Sequence, residues 1–141
     1  MTPRDTRTGG VLESMVLPAL KRGGYEYKKA VNIGKRLGRG KHIVDVVAWD
    51  PEKRGYLISL KWQQVSGTAE QKVPFEVICL IEAVLSSEGK YEQAHLVLGG
   101  PGWSLRDFYT KGGLRKYLNY QDKVTILSLE DFVARANKGK L

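Results

Sequence analysis

The 141-residue chain carries 23 lysines and arginines against 15 aspartates and glutamates, a formal net charge of +8, with 42% hydrophobic and 27% charged residues. That length and composition suit one packed domain and exclude a disordered chain, because enough apolar side chain is present to offset the ordering entropy. No apolar run reaches the ~18 residues of a membrane helix, since the best stretch, Val73 to Leu85, is broken by Glu76 and Glu82. Met1 to Asp5 lacks the apolar core of a secretory signal, so a cytoplasmic location is expected. The single cysteine, Cys79, excludes a disulfide within the chain and a cysteine-rich zinc site. The positive excess favours a polyanionic partner, nucleic acid first.

Residues 1–8 read as a loose polar tail and residues 138–141 as a loose basic end, bounding one domain over 9–137. Val11, Leu12, Met15, Val16, Ala19 and Leu20 recur at helical spacing, and Gly23-Gly24 stops that helix. Tyr25 to Ile33, His42 to Trp49 and Tyr56 to Gln63 read as three strands joined by short turns, an antiparallel meander. A helix follows to about Ser86. Thr68 and Gln71 fit a capping box at its start, while Pro74 predicts either a kink or a restart. Ala94 to Leu98 is a fourth strand, and short helical turns fit Leu105 to Tyr109 and Leu114 to Tyr117. Val124 to Leu127 is a fifth strand, and Ser128 caps a last helix, Leu129 to Ala136. The order predicts an α/β fold with a mixed central sheet of about five strands flanked by helices.

His42 and His95 are the only histidines and lack metal-ligand spacing, and Cys79 reads as a small buried hydrophobe. The turn from Gly34 to Lys41 fails the phosphate-loop pattern. Its cations Lys35, Arg36, Arg39 and Lys41 instead suit a glycine-rich hairpin tip that grips nucleic acid. The informative pair is Asp45, inside Ile43-Val44-Asp45-Val46-Val47, and Lys61, inside Leu57-Ile58-Ser59-Leu60-Lys61-Trp62. An unpaired charge in a buried strand costs several kcal/mol. Opposite charges on adjacent strands therefore point to a site. Glu13 interrupts the apolar face of the first helix in the same way.

A helix with Glu13, a strand with Asp45, a strand ending in x-Lys61, then helix-strand-helix resembles the PD-(D/E)XK nuclease superfamily over about residues 9–137. The resemblance implies a single-domain restriction-endonuclease-like fold and a Mg²⁺-dependent endodeoxyribonuclease, with Mn²⁺ as a substitute metal. It assigns Asp45, Glu13 and the Leu60 carbonyl to the metal and Lys61 to the attacking water. It also implies a bacterial or phage-encoded homing, restriction or junction-resolving enzyme. The partner would be duplex or branched DNA, with no membrane, and a homodimer or higher oligomer would cut both strands.

Two positions depart from the family pattern. Val44 replaces the motif's proline, and Ser59 stands where the second acid belongs. Some restriction endonucleases of the superfamily supply that carboxylate from the following helix. Glu70 then fits the inward face with Val73, Val77, Ile81 and Val84, and Glu76 is the alternative. Otherwise Ser59 is an inactivating change, or the chain is a catalytically silent DNA-binding module. Gln63, Gln64 and Lys72 are further candidates for DNA contact, and Ser66-Gly67-Thr68 for a phosphate seat at a helix start.

Overall fold

Five strands form one mixed sheet in the order β1-β2-β3-β4-β5 in the computed structural model, which describes residues 7–38 and 40–141. Residues 1–6 of the expected tail and Arg39 of the hairpin lie outside the described residues. β1 (Glu26–Lys35), β2 (Lys41–Trp49) and β3 (Gly55–Trp62) are antiparallel neighbours. β4 (Tyr91–Gly99) and β5 (Val124–Ser128) add in parallel. The parallel pairs require crossovers. α3 (Val73–Ser86) supplies the first, and α4 (Arg106–Thr110) with two short 3₁₀ turns the second.

The sheet is sandwiched between two helical layers. Leu57 faces one side, packed with Val77, Leu80 and Ile81 of α3. Its neighbours Tyr56 and Ile58 face the other, packed with Val16 and Leu20 near the start of the chain and Phe132 of α5 (Leu129–Asn137). This alternation is what a strand covered on both faces requires. Ser128 caps α5 as its sequence predicts, accepting from the Asp131 N–H at 3.2 Å. Among the described residues no helix is long and apolar enough to cross a membrane.

Two helical segments depart from the 3.6-residue period. The first runs as α1 (Arg7–Val11), a π-helical turn (Leu12–Val16) and α2 (Leu17–Arg22). The wide turn keeps Leu12 and Val16 inside and turns Glu13, Ser14 and Met15 outward. Before α3, Thr68–Lys72 is a 3₁₀ turn, and the expected capping box is absent because Gly67 stands at its N-cap. Pro74 marks a restart, since proline fits the first turn of a helix, where its missing N–H is unneeded.

The C-terminal end is not loose. The Leu141 N–H donates to the Tyr25 hydroxyl at 3.0 Å, and the Lys140 N–H to the Arg135 carbonyl at 2.9 Å. The junction of α2 with α5 is equally close, for a Cβ on Gly23 would stand 1.8 Å from the Ala136 carbonyl oxygen. Gly23→Ala should therefore force the two helices apart and cost about 1–3 kcal/mol. The measurement is a lower urea midpoint at unchanged slope.

Candidate active site

The ladder between β2 and β3 runs from Trp49/Gly55 to Val46/Ile58 and ends there, although both strands continue. The next inward backbone donor on β3, the Leu60 N–H, is taken by a side chain instead. Asp45 Oδ2 accepts it at 2.7 Å. A cleft of about 620 Å³ opens at this point, lined by Asp45, Leu60, Lys61 and Trp62 from the strands and by Phe75 and Glu76 from α3. Arg36 and Lys72 bring further positive charge to its walls.

Glu76 enters through the register of α3. Val73, Glu76, Val77, Leu80, Ile81 and Val84 form its buried stripe, so the carboxylate is carried against the sheet and is only 5% exposed. Ser59 Oγ approaches Glu76 Oε1 at 3.4 Å, which places the carboxylate beside the strand position where the motif acid is missing. The Arg36 guanidinium holds the other oxygen, Oε2. Burial pushes the Glu76 carboxyl up, yet the Lys61 and Arg36 cations outweigh it and hold the group below the ordinary glutamate value. His42, only 2% exposed, stands in the field of the same charges, and its Nε2 finds no hydrogen-bond partner among the described residues. Burial pushes its imidazole pKa down; Glu76 opposes this, and Arg36 and Lys61 add to it.

The other candidates are distributed differently. Glu13 does not reach the cleft; it lies on the outer side of the π-helical turn, exposed, and accepts from Lys29 Nζ at 2.6 Å. Glu70 is buried as its spacing predicts but is engaged elsewhere. Its carboxylate accepts from the Leu105 N–H at 2.8 Å and the Ser104 hydroxyl at 2.5 Å, tying the segment before α4 to the 3₁₀ turn. Burial pushes its pKa up, and these donors bring it below the ordinary value. Gln63 is turned inward, with Nε2 on the Gly102 carbonyl at 2.8 Å, and offers no surface to DNA. Gln64 is exposed and accepts from Trp62 Nε1 at 3.3 Å. Lys35, Lys41 and Lys72 are exposed.

Glu76 was the weaker of two candidates by sequence, and the role of Arg36 as its partner carried no sequence signal. The signal for Glu76 was Pro74, which sets the helix start at Val73 and so puts Glu76 on the i, i+3, i+4 stripe. Among the described residues no three His, Cys, Asp or Glu side chains converge as a closed metal cage. Asp45, Leu60 and Glu76 line one cleft, so two carboxylates and a backbone carbonyl supply hard oxygen donors to it. That donor set fits Mg²⁺ or Mn²⁺, which Mg²⁺ in particular completes with waters and substrate phosphate.

The sequence model of the PD-(D/E)XK nuclease superfamily domain matches residues 4–140. No curated protein sequence matches the chain. Among solved structures, AF1548, a protein of unknown function, superposes with a TM-score of 0.51 at 16% identity, over 80% of this chain and 54% of its own. A repair endonuclease from Pyrococcus abyssi gives a TM-score of 0.41 at 14% identity, over 89% of this chain and 47% of its own. The chain thus spans about half the length of these two structures. At such identity the likeness of AF1548 speaks for the fold alone.

Glu70→Gln tests the division between the two buried glutamates. A carboxyl whose folded pKa is depressed stabilises the fold above the ordinary glutamate range, and that contribution disappears as pH falls through the folded value. The variant should lose about 1–3 kcal/mol at neutral pH. The gap to wild type should close below about pH 4, as read from urea midpoints across pH. Its divalent-metal affinity should equal that of wild type.

Proposed function

Because the chain belongs to the PD-(D/E)XK nuclease superfamily, we propose that it is a divalent-metal-dependent endonuclease that hydrolyses phosphodiester bonds in DNA. The observation that carries this reading is the meeting of Asp45, Lys61 and Glu76 on one cleft, with Glu76 beside Ser59. Asp45, Glu76 and the Leu60 carbonyl would hold Mg²⁺ or Mn²⁺. Glu76 rather than Glu70 thus supplies the carboxylate that Ser59 lacks, and Glu13 has no part.

When bound, the metal supplies positive charge that polarises the phosphoryl group and acidifies the attacking water. The remaining work falls to the chain. The Leu60 N–H holds the Asp45 carboxylate at the cleft wall, which orients it for the metal. Lys61, directly after Leu60, donates hydrogen bonds that orient the attacking water and offset the charge growing on the phosphoryl oxygens. Lys35, Lys41 and Lys72 contact neighbouring phosphates, which makes binding steeply salt-dependent. One such site cuts one strand, so double-strand cleavage uses a homodimer.

Conversion of supercoiled plasmid to nicked and linear forms, with and without Mg²⁺, tests this reading. Cutting should require the metal, and Glu76→Gln should lower it by about 100-fold or more, at least the loss that follows mutation of a ligand's outer-shell partner. Adding Ser59→Glu to a Glu76→Ala protein returns a carboxylate to the strand and should restore part of the activity. Full activity in Glu76→Gln would sink the assignment.

A further inference from the structure

Arg36 follows the last residue of β1, and its N–H closes the hairpin tip on the Gly40 carbonyl at 3.0 Å. Its guanidinium packs over the Phe75 ring, 5.9 Å from the centroid, and pairs with the buried Glu76 carboxylate. That oxygen belongs to the same carboxylate that a metal in the cleft would need. A guanidinium and a hard cation cannot both hold it at full strength.

Resting on the nuclease reading above, we propose that Arg36 is the exchangeable counter-ion of the metal site. It pairs Glu76 while no metal is bound, yields the carboxylate to the incoming cation, and then turns to a phosphate of the DNA. Charge balance favours the exchange. Without metal, Arg36 and Lys61 offset the charge of the buried Glu76 carboxylate. A bound divalent cation adds two positive charges, which makes the guanidinium surplus in the cleft and attractive to a polyanion. The hairpin permits the movement, because Gly34, Gly38 and Gly40 occupy left-handed backbone with nothing within 4 Å of a notional Cβ. Arg36, its side chain 31% exposed, already stands at the cleft wall where phosphate must arrive.

The two halves of the proposal have opposite signs in one variant. Arg36→Met keeps the apolar stem over Phe75 and removes the charge; Arg36→Lys keeps the charge. Calorimetric titration with Mn²⁺ should show Arg36→Met binding on the order of tenfold tighter than wild type, with Arg36→Lys close to wild type. Fluorescence anisotropy of a labelled DNA duplex is then measured in a Lys61→Ala background, which suppresses cutting. There Arg36→Met should weaken DNA binding several-fold with Mn²⁺ present and leave it nearly unchanged without metal. Equal or weaker Mn²⁺ affinity in Arg36→Met, or an equal loss of DNA affinity with and without metal, overturns the exchange. Undiminished Mn²⁺ binding by Glu76→Gln would instead overturn the metal assignment beneath it.

Discussion

The hydrogen bond from the Leu60 N–H to Asp45 governs the architecture of the cleft. The β2·β3 ladder stops at Val46/Ile58, and an unsatisfied donor just beyond would cost about 1–3 kcal/mol. Asp45 removes that cost, and the same bond fixes its carboxylate at the place where the strands stop pairing. Each strand is held beyond that point by its outer neighbour. β2 stays paired with β1 to Lys41, and β3 with β4 to Trp62/Gly99. The gap in the sheet is therefore flanked by paired strands on both sides, and Lys61 is displayed from β3 at its edge.

Glu70 and Glu76 show how surroundings divide the work of two identical side chains six residues apart. Both are buried, and both are held below the ordinary carboxylate range against the effect of burial. Glu70 achieves this with a backbone N–H and a hydroxyl that have no other task, so it fastens one segment to another. Glu76 achieves it with two side-chain cations, Lys61 and Arg36. Fixed neutral donors make a carboxylate structural. On the proposed reading, side-chain cations leave it available to a competing metal ion.

Asp45 and Lys61 were legible in the sequence because a charge within an apolar strand is costly unless something answers it. The strands were legible from their β-branched runs, and α5 from Ser128 and the acids after it. Glu13 and Glu70 stand away from the cleft for different reasons. Glu13 lies in a π-helical turn, across which a face projected at 100° per residue loses its phase, and it turns outward. Glu70 is buried as its spacing predicts, but the Leu105 N–H and the Ser104 hydroxyl engage its carboxylate, a contact from a segment 35 residues on that local spacing cannot show. Glu76 faces inward once the α-helix is counted from Val73. The closure of Leu141 onto Tyr25 was illegible for a different reason, since that contact joins residues 116 apart.

The chain's surplus of positive charge also acquires a second use. Two carboxylates drawn into one partly covered cleft repel each other, and burial adds to the pressure to protonate. Protonated acids would be poor ligands for a hard cation. Arg36 and Lys61 relieve that pressure on Glu76 locally, so a strongly basic domain holds a buried glutamate below its ordinary value. On the proposed reading, cations that attract a phosphate backbone at long range and cations that keep Glu76 charged at short range are partly the same residues. A metal-loaded cleft would then pull on a polyanion more strongly than the empty one, which would couple the order of binding to the charge of the site.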